Sequence, residues 1–118
     1  MSRRLVIGDI HGGLKALYQV LERVAVTQAD TLIFLGDFVD GWSESAQVID
    51  FVIQLSKKHN CIFVKGNHDV YCEEWLRTGK QDRVWLMHGG IATMESYSVI
   101  DSATKLIHLN FLEQMKLY

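Results

Sequence analysis

Three short apolar runs each end in a cluster of polar side chains, and this repeated arrangement constrains the fold more than any other feature. The runs are 5–7, within a predicted strand 3–7, then 31–35 and 61–64, and they are typical of buried strands. The polar residues that follow them are Asp9 and His11, then Asp37 and Asp40, then Asn67, His68 and Asp69. Open α/β sheets place their ligands at the carboxyl ends of the strands. The pattern therefore predicts that these side chains meet at one sheet edge, with Asp37 in the middle.

Amphipathic segments separate the three runs and predict crossover helices. The first spans Leu14 to about Ala25, and the second spans 44–58. Ser43 is a predicted N-cap of the second helix, and Asn60 is predicted to follow its C-terminus. The order β-α-β-α-β favours parallel strands with right-handed connections. The sequence therefore predicts an α/β fold with a mostly parallel sheet and flanking helices.

The last third of the chain is less regular. Asp69 is predicted to begin a short helix that runs to Arg77 and is closed by Gly79. A final helix is predicted after Asp101 or Ser102. Its predicted buried face contains Ile107, Phe111, Met115 and Tyr118. The stretch 91–99 fits neither a helix nor a strand clearly.

Composition narrows the class of protein. At 118 residues the chain is one domain, 1–118, and its net charge of −2 lacks the basic footprint of a nucleic-acid-binding protein. No apolar run approaches membrane-spanning length, so no membrane contact is expected. Cys61 and Cys72 do not make a disulfide framework and are expected to be reduced thiols. A cytoplasmic protein is the prediction.

The crowding of carboxylates at one sheet edge predicts a metal site. The acidic residues concerned are Asp9, Asp37, Asp40 and Asp69. Like charges a few ångströms apart destabilise one another, and divalent cations remove that repulsion. Asp9 and His11 offer one oxygen and one nitrogen from a single turn, and Asn67 offers a neutral oxygen. Such mixed ligands suit manganese, iron or zinc.

The central aspartate and the third cluster predict a reaction. Asp37 could bridge two ions, and a pair of ions about 3.5–4 Å apart is a recurrent device for phosphoester hydrolysis. His68 would then be available to protonate the leaving oxygen, and Asp40 could orient it and favour its protonated form.

The three strand-end sequences resemble the leading motifs of the calcineurin-like metallophosphoesterases. They are Gly8-Asp9-Ile10-His11-Gly12, Gly36-Asp37-Phe38-Val39-Asp40 and Gly66-Asn67-His68-Asp69. The phosphoprotein-phosphatase type is the most similar branch, which includes bacterial serine/threonine phosphatases and symmetrical diadenosine-tetraphosphatases. The stretch 89–97 also resembles the Gly-Gly…Thr…Ser-Tyr sequence of the bacterial branch.

The resemblance implies a fold, a reaction and a role for each motif residue. The first metal would be held by Asp9, His11 and Asp37, and the second by Asp37 and Asn67. His68 would be the general acid, Asp40 its partner, and Lys65 a phosphate-binding cation. The implied cofactors are two divalent ions, and the implied substrate is a phosphorylated protein or a dinucleoside polyphosphate.

The sequence departs from the family pattern in three ways. Gly41 stands where the family usually has an arginine that grips phosphate, and Lys65 replaces another arginine-like cation. Family members also continue into a second half with two further metal-binding histidines, so this sequence looks like the N-terminal half of a β-sandwich. His88 precedes Gly89-Gly90 and remains open as a metal ligand. The chain alone is therefore expected to hold one ion tightly and to turn over poorly.

Other function classes remain. A phosphoacceptor receiver domain is also α/β and acidic at its strand ends, but it needs paired acids after the first strand and a late lysine. Here the first strand is followed by Asp9 and His11, and the run 84–87 ends at His88. A metal- or partner-binding module of the same family, without turnover, is the stronger alternative. Because half a sandwich leaves one sheet face uncovered, we also expect a homo-oligomer.

Overall fold

A three-stranded parallel sheet forms the centre of the computed structural model, which describes residues 2–117. The strands are β1 (Arg4–Ile7), β2 (Thr31–Phe34) and β3 (Asn60–Phe63), in the spatial order β1-β2-β3. Both pairs are parallel, with Val6 opposite Ile33 and Ile33 opposite Ile62. The predicted α/β class and the central position of the strand before Asp37 are confirmed.

The described part of the chain contains five helices of seven residues or more. They are α1 (Leu14–Arg23), α2 (Ser45–Ser56), α3 (Asn67–Thr78), α4 (Ile91–Tyr97) and α5 (Ser102–Gln114). A single helical turn at Arg83–Trp85 leads into the irregular turn Leu86–Gly90, which precedes α4. The first two helices connect successive parallel strands, as the β-α-β-α-β pattern predicts.

The second crossover helix shows how far apolar periodicity predicts burial. Its predicted stripe, Val48, Ile49, Val52, Ile53 and Leu55, is buried throughout. The predictions for its ends were wrong. Glu44 rather than Ser43 is the N-cap residue, with no side-chain cap bond, and Asn60 begins β3 instead of closing the helix. The Glu44 N–H donates to the Gly12 carbonyl at 3.2 Å, and Asn60 pairs with Thr31 of the central strand.

The buried face of the last helix overlaps the predicted one only in part. Asp101 is its N-cap, as predicted, and accepts the Thr104 N–H at 2.7 Å. His108, Leu112 and Met115 are buried, whereas Ile107 is 56% exposed. Phe111 is half-buried and meets Phe63 edge-on, while Tyr118 lies outside the described residues. The prediction for Ile107 was wrong because buried polar contacts turn His108 inward.

His108 is held by two side chains from other elements. Its Nδ1 lies 2.8 Å from the Tyr97 hydroxyl and its Nε2 lies 3.1 Å from Asp50 Oδ1. Burial lowers the pKa of His108, and the Asp50 carboxylate acts in the opposite direction. The neutral ring therefore accepts from Tyr97 and donates to Asp50, which makes His108 a structural residue of the helical layer.

The two faces of the sheet differ in their cover. Leu32 and Phe34 of the central strand are fully buried beneath the helices. On the opposite face, Val6 is 61% exposed and Ile62 is 41% exposed, in one row with Ile33. The predicted uncovered apolar face is thus present among residues 2–117, and self-association through it stays a prediction.

Two other sequence predictions concern the environment of the chain. Cys61 is half-buried and Cys72 is buried, and both are free thiols. Among the described residues, the helices are all too short or too polar to cross a bilayer.

Candidate active site

Backbone hydrogen bonds join the loops after β1 and β2 into one unit. The Asp37 carbonyl accepts from the Ile10 N–H at 3.1 Å and from the His11 N–H at 2.9 Å. The Gly12 N–H donates to the Phe38 carbonyl at 2.8 Å. These bonds continue the alignment of the two parallel strands past their ends. The side chains that follow both strands are therefore held at the same edge of the sheet.

Asp9, His11 and Asp37 form a cluster with the composition of a metal site. Each offers one ligand atom, and these atoms lie within 4.8 Å of one another. His11 Nδ1 lies 2.9 Å from the Val39 carbonyl, so Nδ1 donates its proton and Nε2 keeps a free lone pair. Nε2 also lies 3.6 Å from Asp9 Oδ2. Two carboxylates and one oriented imidazole fit a divalent transition-metal ion.

The loop after β3 contacts the Asp37 carboxylate. The His68 N–H donates to Asp37 Oδ1 at 3.1 Å. A Cβ atom at Gly66 would lie only 2.1 Å from that oxygen, so glycine is required for this approach. Asp37 thus touches loops from both neighbouring strands, as its central position predicts.

The Asp69 carboxylate binds the backbone of the loops after β2 and β3. It is buried and accepts from the N–H groups of Gly66, Asp37 and Phe38 at 2.9, 2.7 and 2.9 Å. Burial raises the pKa of its carboxyl to about 6, although these three bonds act in the opposite direction. The bond to Gly66 caps α3, which begins at Asn67 and not at Asp69 as predicted, because Asp69 lies in the first turn and accepts from the N-cap residue. The bonds to Asp37 and Phe38 show that the same carboxylate also shapes the loop after β2.

Strained backbone is concentrated at the same edge. His11, Asp37 and Asp40 have φ angles of +48°, +55° and +73°, which side chains other than glycine rarely adopt. Such conformations cost on the order of 1–3 kcal/mol each and persist where surrounding contacts hold them. Gly41 has a φ of +104°, so an arginine there would be strained. Glycine adopts this conformation without strain.

His68 and Asp40 form the predicted pair. His68 Nδ1 lies 2.7 Å from Asp40 Oδ2, and the His68 ring meets the His11 ring edge-on with centroids 4.8 Å apart. Asp40 is 1% exposed and also accepts from the Trp85 Nε1–H at 2.6 Å and from the Thr93 hydroxyl. The pair therefore lies directly beside the three-residue cluster.

The structure does not test the roles predicted for Asn67, His88 and Lys65. Asn67 is exposed at the start of α3 and lines a recess of about 430 Å³ together with His68 and His88. His88 does not belong to the cluster of Asp9, His11 and Asp37, so its role as a ligand stays a prediction. Lys65 is largely buried and forms a short ion pair with Glu73. Its proposed contact with phosphate would require Glu73 to release it.

Sequence reasoning did not identify the residues that hold Asp40. Trp85 entered the sequence analysis only as part of the run 84–87, and Thr93 only as part of a resemblance in 89–97. One available signal was that a buried tryptophan needs an acceptor for its N–H. The distance in sequence, 45 residues for Trp85 and 53 for Thr93, hid the identity of that acceptor.

Comparisons with known proteins agree with this geometry. The family model described as calcineurin-like phosphoesterase matches residues 2–117. A bis(5'-nucleosyl)-tetraphosphatase PrpE [asymmetrical] of Anoxybacillus flavithermus is 32% identical over 96% of this chain and 48% of its own length. The serine/threonine-protein phosphatase PP1-delta of Caenorhabditis elegans is 28% identical over 69% of this chain and 30% of its own.

The fold is also found in a solved structure. The crystal structure of a metallophosphoesterase from Sphaerobacter thermophilus matches with a TM-score of 0.62 and 23% identity, over 95% of this chain and 40% of that one. The chain thus spans about half the length, or less, of these relatives. The matched family model covers all the described residues, including the loops after the three strands, and on that evidence the chain belongs to the calcineurin-like phosphoesterase family.

Proposed function

We propose that this chain carries part of the active site of a metal-dependent phosphoesterase, which adds water at phosphorus and releases an alcohol or a nucleotide. One observation carries the proposal. His68 is fixed by Asp40 at 2.7 Å, with its ring centroid 4.8 Å from that of His11. A candidate proton donor therefore stands beside a candidate metal cluster, which is the juxtaposition that phosphoester hydrolysis needs.

Asp9, His11 and Asp37 are the proposed ligands of the first cation, and Asp37 and Asn67 contribute to a second. Manganese, iron and zinc suit this mixture of oxygen and nitrogen ligands. When bound, such ions stabilise charge at phosphorus and acidify a water. The bond from His11 Nδ1 to the Val39 carbonyl at 2.9 Å supports this assignment, because it orients Nε2 toward Asp9.

His68 is the proposed general acid. Its Nδ1 is engaged by Asp40, so Nε2 is the nitrogen that delivers a proton to the leaving oxygen as the P–O bond breaks. General acid catalysis of this kind typically contributes about 10²–10⁴-fold to a rate. The recess of about 430 Å³ next to His68 is lined in part by Tyr71 and Val84 and offers room for the leaving group.

A dinucleoside polyphosphate is the first proposed substrate, because the relative that matches over 96% of this chain is named as a tetraphosphatase. A phosphorylated protein is the second, from the similarity to a serine/threonine-protein phosphatase. The leaving group that would enter the recess beside His68 is a nucleotide in the first case and a protein side chain in the second. Parallel assays of a dinucleoside tetraphosphate and of a phosphopeptide on the same preparation separate them.

A second candidate function is a metal-binding module that turns over weakly. Among residues 2–117 we assign three ligands to the first cation and two, Asp37 and Asn67, to the second. Two oxygen ligands without imidazole bind such ions weakly. We therefore expect about one tightly bound manganese ion per chain and slow hydrolysis of an aryl phosphate, by this ligand count.

Calorimetric titration with manganese and a steady-state assay on the same preparation test both candidates. His68→Asn should keep the bound ion and lose most of the turnover, whereas Asp37→Asn should lose both. Two tight sites with turnover of several per second, on the order expected of median enzymes, would instead show that another ligand completes the second site. Equal turnover by the wild type and His68→Asn would refute the assignment of the acid.

A further inference from the structure

The buried carboxylate of Asp40 has contacts beyond those that the proposed reaction uses. We propose that the Trp85 indole and the Thr93 hydroxyl form a clamp on Asp40 that sets the orientation and the tautomer of His68. We call these two residues the Asp40 clamp. The inference rests on the proposed function, because it treats His68 as the general acid. Trp85 and Thr93 are positioning residues, since they act through Asp40.

The clamp determines what the Asp40 carboxylate can do. Trp85 Nε1 lies 2.6 Å from Oδ2, and Thr93 donates its hydroxyl to Oδ1. An indole N–H can donate but cannot accept, so Oδ2 must act as an acceptor. As an ionised carboxylate Asp40 only accepts, so His68 Nδ1, which lies 2.7 Å from that same Oδ2, is the donor. This leaves Nε2 of the neutral His68 ring without a proton until it is charged for catalysis.

The clamp also holds the Asp40 backbone. The residue has a φ of +73°, a conformation that is costly for aspartate. Its N–H lies 2.9 Å from Thr93 Oγ1 and 3.0 Å from Ser45 Oγ. Thr93 therefore contacts both the main chain and the side chain of Asp40. Loss of its hydroxyl would remove one of the two acceptors of the Asp40 N–H and the donor to one carboxylate oxygen together.

Two glycines allow the clamp to reach Asp40. A Cβ atom at Gly89 would lie 2.8 Å from the Gly41 nitrogen and 3.1 Å from the Asp40 Cβ. A Cβ atom at Gly90 would lie 2.5 Å from the Trp85 ring. Gly89 has a φ of +104°, which turns the chain toward α4 and Thr93. This packing gives the Gly-Gly…Thr sequence of 89–97 a physical role at the site.

The chemical consequence is specific. Without the clamp, Asp40 can rotate, and the neutral His68 ring is free to place its proton on either nitrogen. If the orientation of His68 varies, proton transfer to the leaving oxygen should slow, and this matters most for leaving groups that depart only when protonated. Substrates with a poor leaving group should therefore lose more rate than activated ones, while substrate affinity changes little.

The first test measures the His68 tautomer in the metal-free chain and needs no turnover. The chain has five histidines, so His68→Asn assigns the signals of the labelled ring nitrogens. The wild type should show the Nδ1–H tautomer at a pH where the ring is neutral. Trp85→Phe and Thr93→Val should show a mixture of tautomers. An unchanged Nδ1–H tautomer in both variants would overturn the clamp.

Matched controls separate positioning from general loss of packing. Trp75→Phe removes another indole N–H, from a ring that packs against Trp85 with centroids 5.8 Å apart. It should leave the His68 tautomer unchanged. Thr93→Ser keeps the hydroxyl and should restore the behaviour of the wild type. The pair Thr93→Ser and Thr93→Val decides the question if Trp85→Phe does not fold.

The second test compares phenyl phosphate with para-nitrophenyl phosphate, both with manganese. The clamp variants should lower kcat for phenyl phosphate by about tenfold or more, as expected for loss of an outer hydrogen-bonding partner. The activated ester should be affected much less, and KM should stay similar. Equal losses for both esters would contradict a role through the acid.

Asp40→Asn distinguishes failure of this inference from failure of the proposed function. If Asp40→Asn changes neither the His68 tautomer nor the leaving-group dependence, the acid pair itself is wrong. If Asp40→Asn changes both and the clamp variants change neither, the pair stands and the clamp is overturned.

Discussion

The cluster of Asp9, His11 and Asp37 and the pair of Asp40 and His68 lie at the same sheet edge, but their side chains are held in opposite ways. The Asp9 side chain is 61% exposed, and one nitrogen of His11 remains free. Asp40 is 1% exposed, and hydrogen-bond donors meet both of its oxygens. Lone pairs without a hydrogen-bond donor, as on Asp9 and His11, are available to bind a cation. The Asp40 oxygens already accept hydrogen bonds, which suits a residue that holds His68 in position.

This difference shows how one sheet edge can serve two chemical purposes. Strand ends deliver both groups of residues, so position alone does not separate them. What separates them is the cover supplied by the segment from Trp85 to Thr93, which lies over Asp40. Burial and saturation with hydrogen bonds then distinguish the residue that orients from the residues that bind.

The largest effect is expected from replacing Asp37, the central residue of the cluster of Asp9, His11 and Asp37. Asp37→Asn should reduce manganese affinity by more than about 100-fold, since even outer partners of metal ligands typically contribute 10–100-fold. Asp37 is the proposed bridge, so both cations lose a ligand. Metal content after dialysis, measured by mass spectrometry, is the readout. Equal retention by Asp37→Asn and Asp69→Asn would contradict the bridging role.

Asp69→Asn tests the support that the two groups share. The carboxylate accepts from three backbone N–H groups, and asparagine offers a single acceptor oxygen. We expect a loss of about 1–3 kcal/mol in the free energy of unfolding, the cost of buried donors left without acceptors. Urea titration measures it. Manganese stoichiometry of the folded fraction should be retained, and its loss would make Asp69 part of the cluster's own chemistry.

A third polar network, formed by His108, Tyr97 and Asp50, extends the comparison to the pH dependence of stability. Burial lowers the pKa of His108 below its usual value of about 6.5. Below that pH the unfolded chain takes up a proton that folded His108 resists, so stability is lost as pH falls through this range. His108→Gln should remove this part of the pH dependence, with and without manganese.

The measurement for His108 is the difference in unfolding free energy between the two proteins at about pH 7.5 and about pH 5.5, on either side of the usual histidine pKa. The difference cancels the contribution of Asp69, whose raised pKa acts with the opposite sign. An identical pH dependence in both proteins would show that His108 ionises freely in the folded state.

The smallest expected effect concerns the uncovered face of the sheet. Replacing the exposed Val6 and Ile62 by lysine should weaken self-association by about tenfold or more, because apolar burial contributes on the order of 1.5–3 kcal/mol per side chain. Sedimentation at several concentrations measures this. The manganese stoichiometry should stay at one per chain. A lower stoichiometry in the double variant would mean that a second copy completes the cluster.

The sequence by itself determined the order of elements and the edge where the polar residues meet. Apolar periodicity predicted the buried stripe of α2, and the parallel β-α-β-α-β order placed Asp37 between its neighbours. These features depend on local patterns and on the regular geometry of parallel strands. Both can be read from residues close together in the chain, which is why these predictions were confirmed.

The tertiary structure decided which groups the side chains touch. Trp85 and Thr93 reach Asp40 across 45 and 53 residues, Glu73 engages Lys65, and contacts with Tyr97 and Asp50 turn His108 inward at the expense of Ile107. Such contacts form where distant segments pack, and a buried donor takes the acceptor that packing brings to it. Local sequence shows that a buried indole needs a partner, but only the packed chain shows that the partner is Asp40.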